Sequence, residues 1–231
     1  MKLILWDIDG TLVDTDRAGE RALLKALKET AGIDGSLNDI DYRGRTDAFI
    51  AREIFKFYKI PFSDEALNAF MERYLRNLAA ELSATTLGKT HPGIVGLLEA
   101  IKARPDLAQG LLTGNLKRGA ELKLSHFDVW RYFEFGAFAN DSHLRNDLGP
   151  HALRRARDHH GHEFKVEEVF VVGDTPHDIE CAKVIGANSI AVATGHFTSA
   201  QLAPFEPTAL LEDLSDAAAF FAVIDGNQLP K

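Results

Sequence analysis

Asp7 and Asp9 stand at the end of the apolar run Leu3 to Trp6, with Ile8 between them and Gly10-Thr11-Leu12-Val13-Asp14 behind. On an extended backbone, residues i and i+2 share a side, so both carboxylates lean one way and Ile8 the other. Two like charges that close are costly unless a cation lies between them or one keeps its proton. The segment therefore asks for a metal ion. Two further segments have the same form. Leu111-Leu112 runs into Thr113-Gly114-Asn115, where a glycine lets backbone N–H groups approach an anion and the next helix aims the positive end of its dipole at it. That is a phosphate cradle. Val169 to Val172 runs into Gly173-Asp174-Thr175-Pro176-His177-Asp178. Here Asp178 doubles as the third helical residue behind a Thr175 N-cap and Pro176, so a capping role competes with a ligand role.

Short apolar runs that stop at turn-forming residues read as buried parallel strands whose carboxyl ends open into a site. Strands are expected at Leu3–Trp6, Gln109–Leu112, Phe133–Ala139, Glu168–Val172, Ser189–Ala193 and Ala209–Leu211. Between them, apolar periodicity predicts helices over 94–103, 116–125, 150–160, 176–185 and 215–224. Strands that alternate with helices give a doubly wound parallel sheet, a Rossmann-like α/β core. Residues 15–88 break the alternation. They carry three helical patterns: 16–31 ending at Gly32, a second behind a Thr46 N-cap, and a third behind Ser63 with Asp64 and Glu65 in its first turn. We expect a core of 1–14 and 89–231 with a helical cap domain, 15–88, inserted after the first strand, and Thr85 to Gly93 as the return linker.

At 231 residues the chain can bury one large core or a core plus a smaller module. A net charge of −8 without any Lys/Arg run weighs against polymeric nucleic acid as a partner. The single cysteine, Cys181, allows no internal disulfide and fits a reducing compartment. The first apolar run is too short for a signal peptide or a membrane span. A cytoplasmic protein without a membrane partner, monomeric or homodimeric, is expected. The histidines His159, His160 and His162 gather at a helix end, where the dipole favours them without a metal.

The segment Asp7 to Asp14 resembles the first motif of the haloacid dehalogenase superfamily, in its phosphatase branch. The order of the other segments is similar to the phosphoglycolate phosphatase-like and β-phosphoglucomutase-like group. The resemblance implies that Asp7 is the nucleophile and Asp9 the general acid/base. It makes Thr113, with Gly114 and Asn115, the phosphoryl-binding second motif. It further implies a Mg²⁺ site made of Asp7, Asp9 through its main-chain carbonyl, Asp174 and Asp178. The family's third motif is a lysine, yet the stretch Asp141 to Pro150 has none. Arg145 is the residue that would neutralise the phosphoryl group instead. The loop Tyr42-Arg43-Gly44-Arg45-Thr46 would hang over the site, with Arg45 reading the substrate. The implied function is Mg²⁺-dependent hydrolysis of a small phosphorylated metabolite through an aspartyl-phosphate. A sugar-phosphate mutase of the same fold is the alternative. A non-catalytic phosphometabolite sensor or protein-interaction module would not need both Asp7 and Asp9, and a dehalogenase would need neither Asp9 nor a metal.

Overall fold

The computed structural model describes residues 1–226, so residues 227–231 of the expected core lie outside the described residues. The central element is strand β1 (Lys2–Trp6). Its side chains alternate between two apolar layers: Ile4 and Trp6 face one, and Leu3 and Leu5 the other. After the two-residue strand β2 (Val13–Asp14) come helices α1 (Ala18–Ala31), α2 (Asp47–Phe57) and α3 (Asp64–Ala84), and then the two-residue strand β3 (Lys89–Thr90). The remaining elements are α4 (Ile94–Lys102), β4 (Leu107–Leu112), α5 (Lys117–His126), β5 (Gly136–Ala137), α6 (Leu148–His160), β6 (Val169–Gly173), α7 (Pro176–Val184), β7 (Asn188–Val192), α8 (Ser199–Leu202), β8 (Ala209–Leu211) and α9 (Ala217–Asp225).

Six strands form a parallel sheet in the order β5-β4-β1-β6-β7-β8. From β1 the chain winds out through β4 to β5, then returns to start again at β6, so the order reverses beside β1. Ligands of doubly wound sheets bind at such a reversal, outside the carboxyl ends of the strands. Asp7, Thr113 and Asp174 each follow one of the three central strands, β1, β4 and β6, and so meet there. Helices α4, α5 and α9 pack Ile94, Leu97, Leu124 and Phe220 on the Trp6 face, and Trp6 stacks on Phe220 with centroids 5.6 Å apart. Helices α6 and α7 pack Ala152, Ala156, Cys181 and Ala182 on the Leu5 face. The cysteine is buried and free.

Helices α1, α2 and α3 add no strand to the sheet and pack around an apolar cluster of their own, with Leu27, Ile54, Phe55, Phe70 and Leu78 inside it. The expected caps are present. Thr46 Oγ1 accepts from Phe49 N, Ser63 Oγ accepts from Ala66 N, and Gly32 takes a left-handed conformation to close α1. Val13 and Asp14 pair antiparallel with Thr90 and Lys89, which ties the exit of this helical unit to its entry.

The structure corrects three local expectations. The strand expected over Phe133–Ala139 is reduced to Gly136–Ala137. Before it, Phe133 closes a short turn at Trp130–Tyr132. After it, Phe138 N donates to the Asp141 carboxylate and Ala139 N to the Asn115 carbonyl, so those amides are committed outside the ladder. The segment expected as a plain linker contains β3. Helix α6 starts at Leu148, with Pro150 in its first turn, where a missing N–H costs nothing. Among the described residues no helix is long and apolar enough to cross a membrane.

Candidate active site

The turn after β1 is fixed by its backbone. Asp7 N donates to Val172 O and prolongs the β1–β6 ladder, while the amides of Thr11, Leu12 and Val13 fold back on the Ile8 carbonyl. Gly10 has φ 81°, and a Cβ there would fall within the Asp174 carboxylate. Glycine thus serves both the turn and the approach of β6's terminal aspartate. Thr11 Oγ1 donates to Asp174 Oδ1 at 3.1 Å.

Asp7, Asp174 and Asp178 are buried, and one oxygen of each lies within 4.8 Å of the others. Arg145, itself buried, faces them. Its Nη2 is 3.1 Å from Asp7 Oδ1 and also bonds Asp178 Oδ1. The other oxygen of Asp178 accepts from Thr175 N and Thr175 Oγ1, completing the capping box of α7. Asp178 therefore does the capping expected of it and also fixes the guanidinium. Burial pushes the Asp7 carboxyl up to about 6, against the pull of Arg145, with Asp178 and Asp9 adding to the rise. Burial, then Asp178 and Asp7, hold Asp174 well above the ordinary carboxylate range. Burial opposes the charge on Arg145, but Asp178 and Asp7 outweigh it and raise its pKa. Three buried carboxylates face one guanidinium, so the acidic groups outnumber the basic ones, and Asp7 and Asp174 are raised for want of a further cation. Hard oxygen donors in that state fit a hard divalent cation.

Asp9 lies apart from this cluster. Its side chain is 43% exposed, and Oδ2 accepts from Lys123 Nζ at 2.6 Å and from Asn115 Nδ2 at 2.8 Å. The Asn115 side chain also donates to Thr113 Oγ1 at 2.9 Å and accepts from Lys123 Nζ at 2.6 Å. Asn115, expected to help cradle the phosphate, is thus turned to Asp9. Thr113 is buried at the end of β4, and its hydroxyl opposes the rise of Asp7. Gly114 allows close packing, since a Cβ there would lie 3.0 Å from Thr46 Cα and run into the Arg45 carbonyl.

The helical unit closes over this end of the sheet through α2. Asp47 N donates to Gly114 O at 2.7 Å, Asp47 Oδ2 accepts from Leu116 N at 2.8 Å, and Thr46 Oγ1 donates to His143 O at 2.6 Å. Between the two lies a cavity of about 440 Å³ lined by Asp7, Asp9, Arg145 and Asp174 from below and by Arg43 and Arg45 from above. Arg45 Nη2 is paired with Asp41 at 2.7 Å and its guanidinium stacks on Phe49, while the Arg43 guanidinium lies over the Tyr42 ring.

A model of the family described as haloacid dehalogenase-like hydrolase matches residues 4–192. The chain belongs to this family. It is 27% identical over 198 residues to a phosphoglycolate phosphatase of Aquifex aeolicus, covering 85% of this chain and 86% of the relative. It is 26% identical over 224 residues to phosphoglycolate phosphatase 1 of Pseudomonas aeruginosa, covering 93% and 78%. The fold also matches the crystal structure of CbbY from Rhodobacter sphaeroides in complex with phosphate. There the TM-score is 0.76 at 20% identity, over 97% of this chain and 99% of the other.

Two polar residues of the site escape a reading of the sequence. Lys123 left a trace, because it falls on the buried face of α5 with Gly119, Ala120 and Leu124. A lysine on such a stripe is buried only with a partner. Asp47 left none, because an acidic residue in a helix's first turn is expected for the dipole alone.

Proposed function

We propose that the protein is a phosphatase that uses a divalent cation, Mg²⁺ by its donor set, to hydrolyse a small phosphorylated metabolite through an aspartyl-phosphate. The observation that carries this reading is the buried Asp7 beside Arg145, facing a cavity that the half-exposed Asp9 also lines. One Asp7 oxygen attacks phosphorus, and the bond to the leaving oxygen breaks with its electron pair on that oxygen. The alkoxide takes the proton carried by Asp9. Water then attacks phosphorus and gives a proton back to Asp9. The phosphorus–Asp7 bond breaks, the carboxylate is regenerated, and inorganic phosphate leaves.

Asp7 and Asp174, with the Asp9 main-chain carbonyl, would hold the cation, which supplies charge neutralisation for the phosphoryl oxygens. Asp178 stands beside them and steadies Arg145. Arg145 and Thr113 bind the transferring group. We assign residues 15–88 as a cap hinged on β2 and β3, a reading supported by its separate apolar cluster and by the seating of α2 on Gly114. Closure excludes bulk water from Asp7. Arg43 and Arg45 read the leaving group from the cap.

The test is an assay of the full chain against a panel of small phosphate esters. Release of phosphate with Mg²⁺, lost on chelation, is the expected outcome. No release from any ester, or undiminished release in chelator, would contradict the reading.

A further inference from the structure

Lys123 is a buried cation that the mechanism above does not use, and its surroundings are specific. Its side chain rises from α5 in the sheet unit to the underside of the helical unit, where a Cβ on Gly19 of α1 would lie 3.6 Å from Nζ. Nζ donates to Asp9 Oδ2 and Asn115 Oδ1, both at 2.6 Å. Its charge also acts on Asp47, whose carboxylate bonds the hydroxyl of Tyr74 at 3.3 Å. Asn115 Nδ2 donates to the same Asp9 oxygen that Lys123 does. Two N–H donors therefore converge on Oδ2, and among the described residues no donor reaches Oδ1.

This arrangement decides where a proton on Asp9 can sit. With the Oδ2 lone pairs engaged by an ammonium and an amide, a carboxyl proton is confined to Oδ1, the oxygen left for the cavity. A carboxylate 43% exposed would otherwise rotate and present either oxygen. Resting on the phosphatase reading, we propose that Lys123 is a positioning residue for the acid/base step. Together with Asn115, it pins Oδ2 of Asp9 and so turns Oδ1 toward the leaving oxygen and then toward the attacking water. Arg145 does not share this task, because its contacts are with Asp7 and Asp178.

The experiment compares the wild type with Lys123→Met and Lys123→Arg, with Mg²⁺ present, on an alkyl phosphate and on p-nitrophenyl phosphate. Nitrophenolate leaves without a proton, so the first step on the aryl ester does not need Asp9 aligned. For Lys123→Met, kcat on the alkyl ester should fall about 100-fold with KM within about threefold, the size of a lost acid/base contribution. The rapid-mixing burst of nitrophenolate should stay within about threefold of wild type. Lys123→Arg, which keeps charge and donors, should regain at least about a tenth of the alkyl rate.

A nitrophenolate burst that falls as far as the alkyl rate does, or an unchanged alkyl rate, would overturn the proposal. If Lys123→Met fails to melt cooperatively, Lys123→Gln takes its place in the same comparison. The alkyl ester is one that the panel shows to be hydrolysed. A wild type that releases phosphate from no ester of the panel would overturn the phosphatase reading itself, and this proposal with it, whereas an active wild type with unselective variants overturns this proposal alone.

Discussion

Asp7 and Asp9 are the same residue type on one short segment, yet the fold gives them opposite surroundings. Asp7 is 4% exposed, sits among two other buried carboxylates and has one guanidinium for company. Asp9 is half-exposed, outside that cluster, with a lysine and an amide on one oxygen and the cavity beside it. Burial withholds water from the first and so suits it to hold a cation and attack phosphorus. Exposure lets the second trade protons. The proposed division of labour thus rests on which strand ends and helices each side chain meets, and the pair can be separated by substitution.

The largest effect is expected at Asp7. Asp7→Asn keeps the shape but removes the nucleophile, and kcat should fall by at least about 10⁴-fold while the melting transition stays cooperative. Asp9→Asn should be milder, with a loss of roughly 10² to 10⁴ in kcat and Mg²⁺ binding retained, because a main-chain carbonyl is assigned to the ion. Equal losses at the two positions, with Mg²⁺ binding lost at both, would erase the distinction. Arg145→Met sharpens it from the side of stability. Removing one partner of a buried ion pair leaves Asp7 and Asp178 uncompensated, at a cost of about 3 to 5 kcal/mol in denaturant unfolding without metal.

Smaller effects belong to the helical unit. Arg45→Ala should lower kcat/KM for the native ester about 10- to 100-fold and spare an aryl phosphate that makes no contact there. An equal loss on both would make Arg45 a closing or folding residue, in keeping with its pairing to Asp41. The smallest effect is a pH dependence at Asp47. Burial raises its carboxyl to about 6, against the opposing charge of Lys123. The folded-state pKa lies above the unfolded value, so the stability tied to its protonated form is complete below about 4 and is lost as pH rises through about 6. Asp47→Asn should flatten that part of the stability profile, as read by melting temperatures across the window.

What the sequence disclosed about this site follows from the range of the interactions. The turn after Asp7 and the Thr175-Pro176-Asp178 helix start are local, and their residue types dictate their geometry. Arg145 could be singled out because the segment after β5 lacked the expected lysine, and the structure brings its guanidinium to Asp7. The partner of Asp9 was hidden because Lys123 lies 114 residues away on a helix that reads as ordinary packing. The strand expected over Phe133–Ala139 failed partly for a related reason: the distant Asn115 carbonyl claims the Ala139 amide, while the nearby Asp141 carboxylate claims that of Phe138. Strands β2 and β3 pair over two residues each, too few for any periodicity to register.

The central claim is a covalent bond between Asp7 and the transferred phosphoryl group, and it is tested most directly by catching that bond. Wild-type protein is mixed with Mg²⁺ and an active ester, quenched in acid within the first turnover and digested. Peptides are then mapped by mass spectrometry. The account predicts a phosphoryl adduct on Asp7 that is absent from Asp7→Asn and longer-lived in Asp9→Asn. An adduct on another residue, or turnover without any adduct in Asp9→Asn, would contradict it.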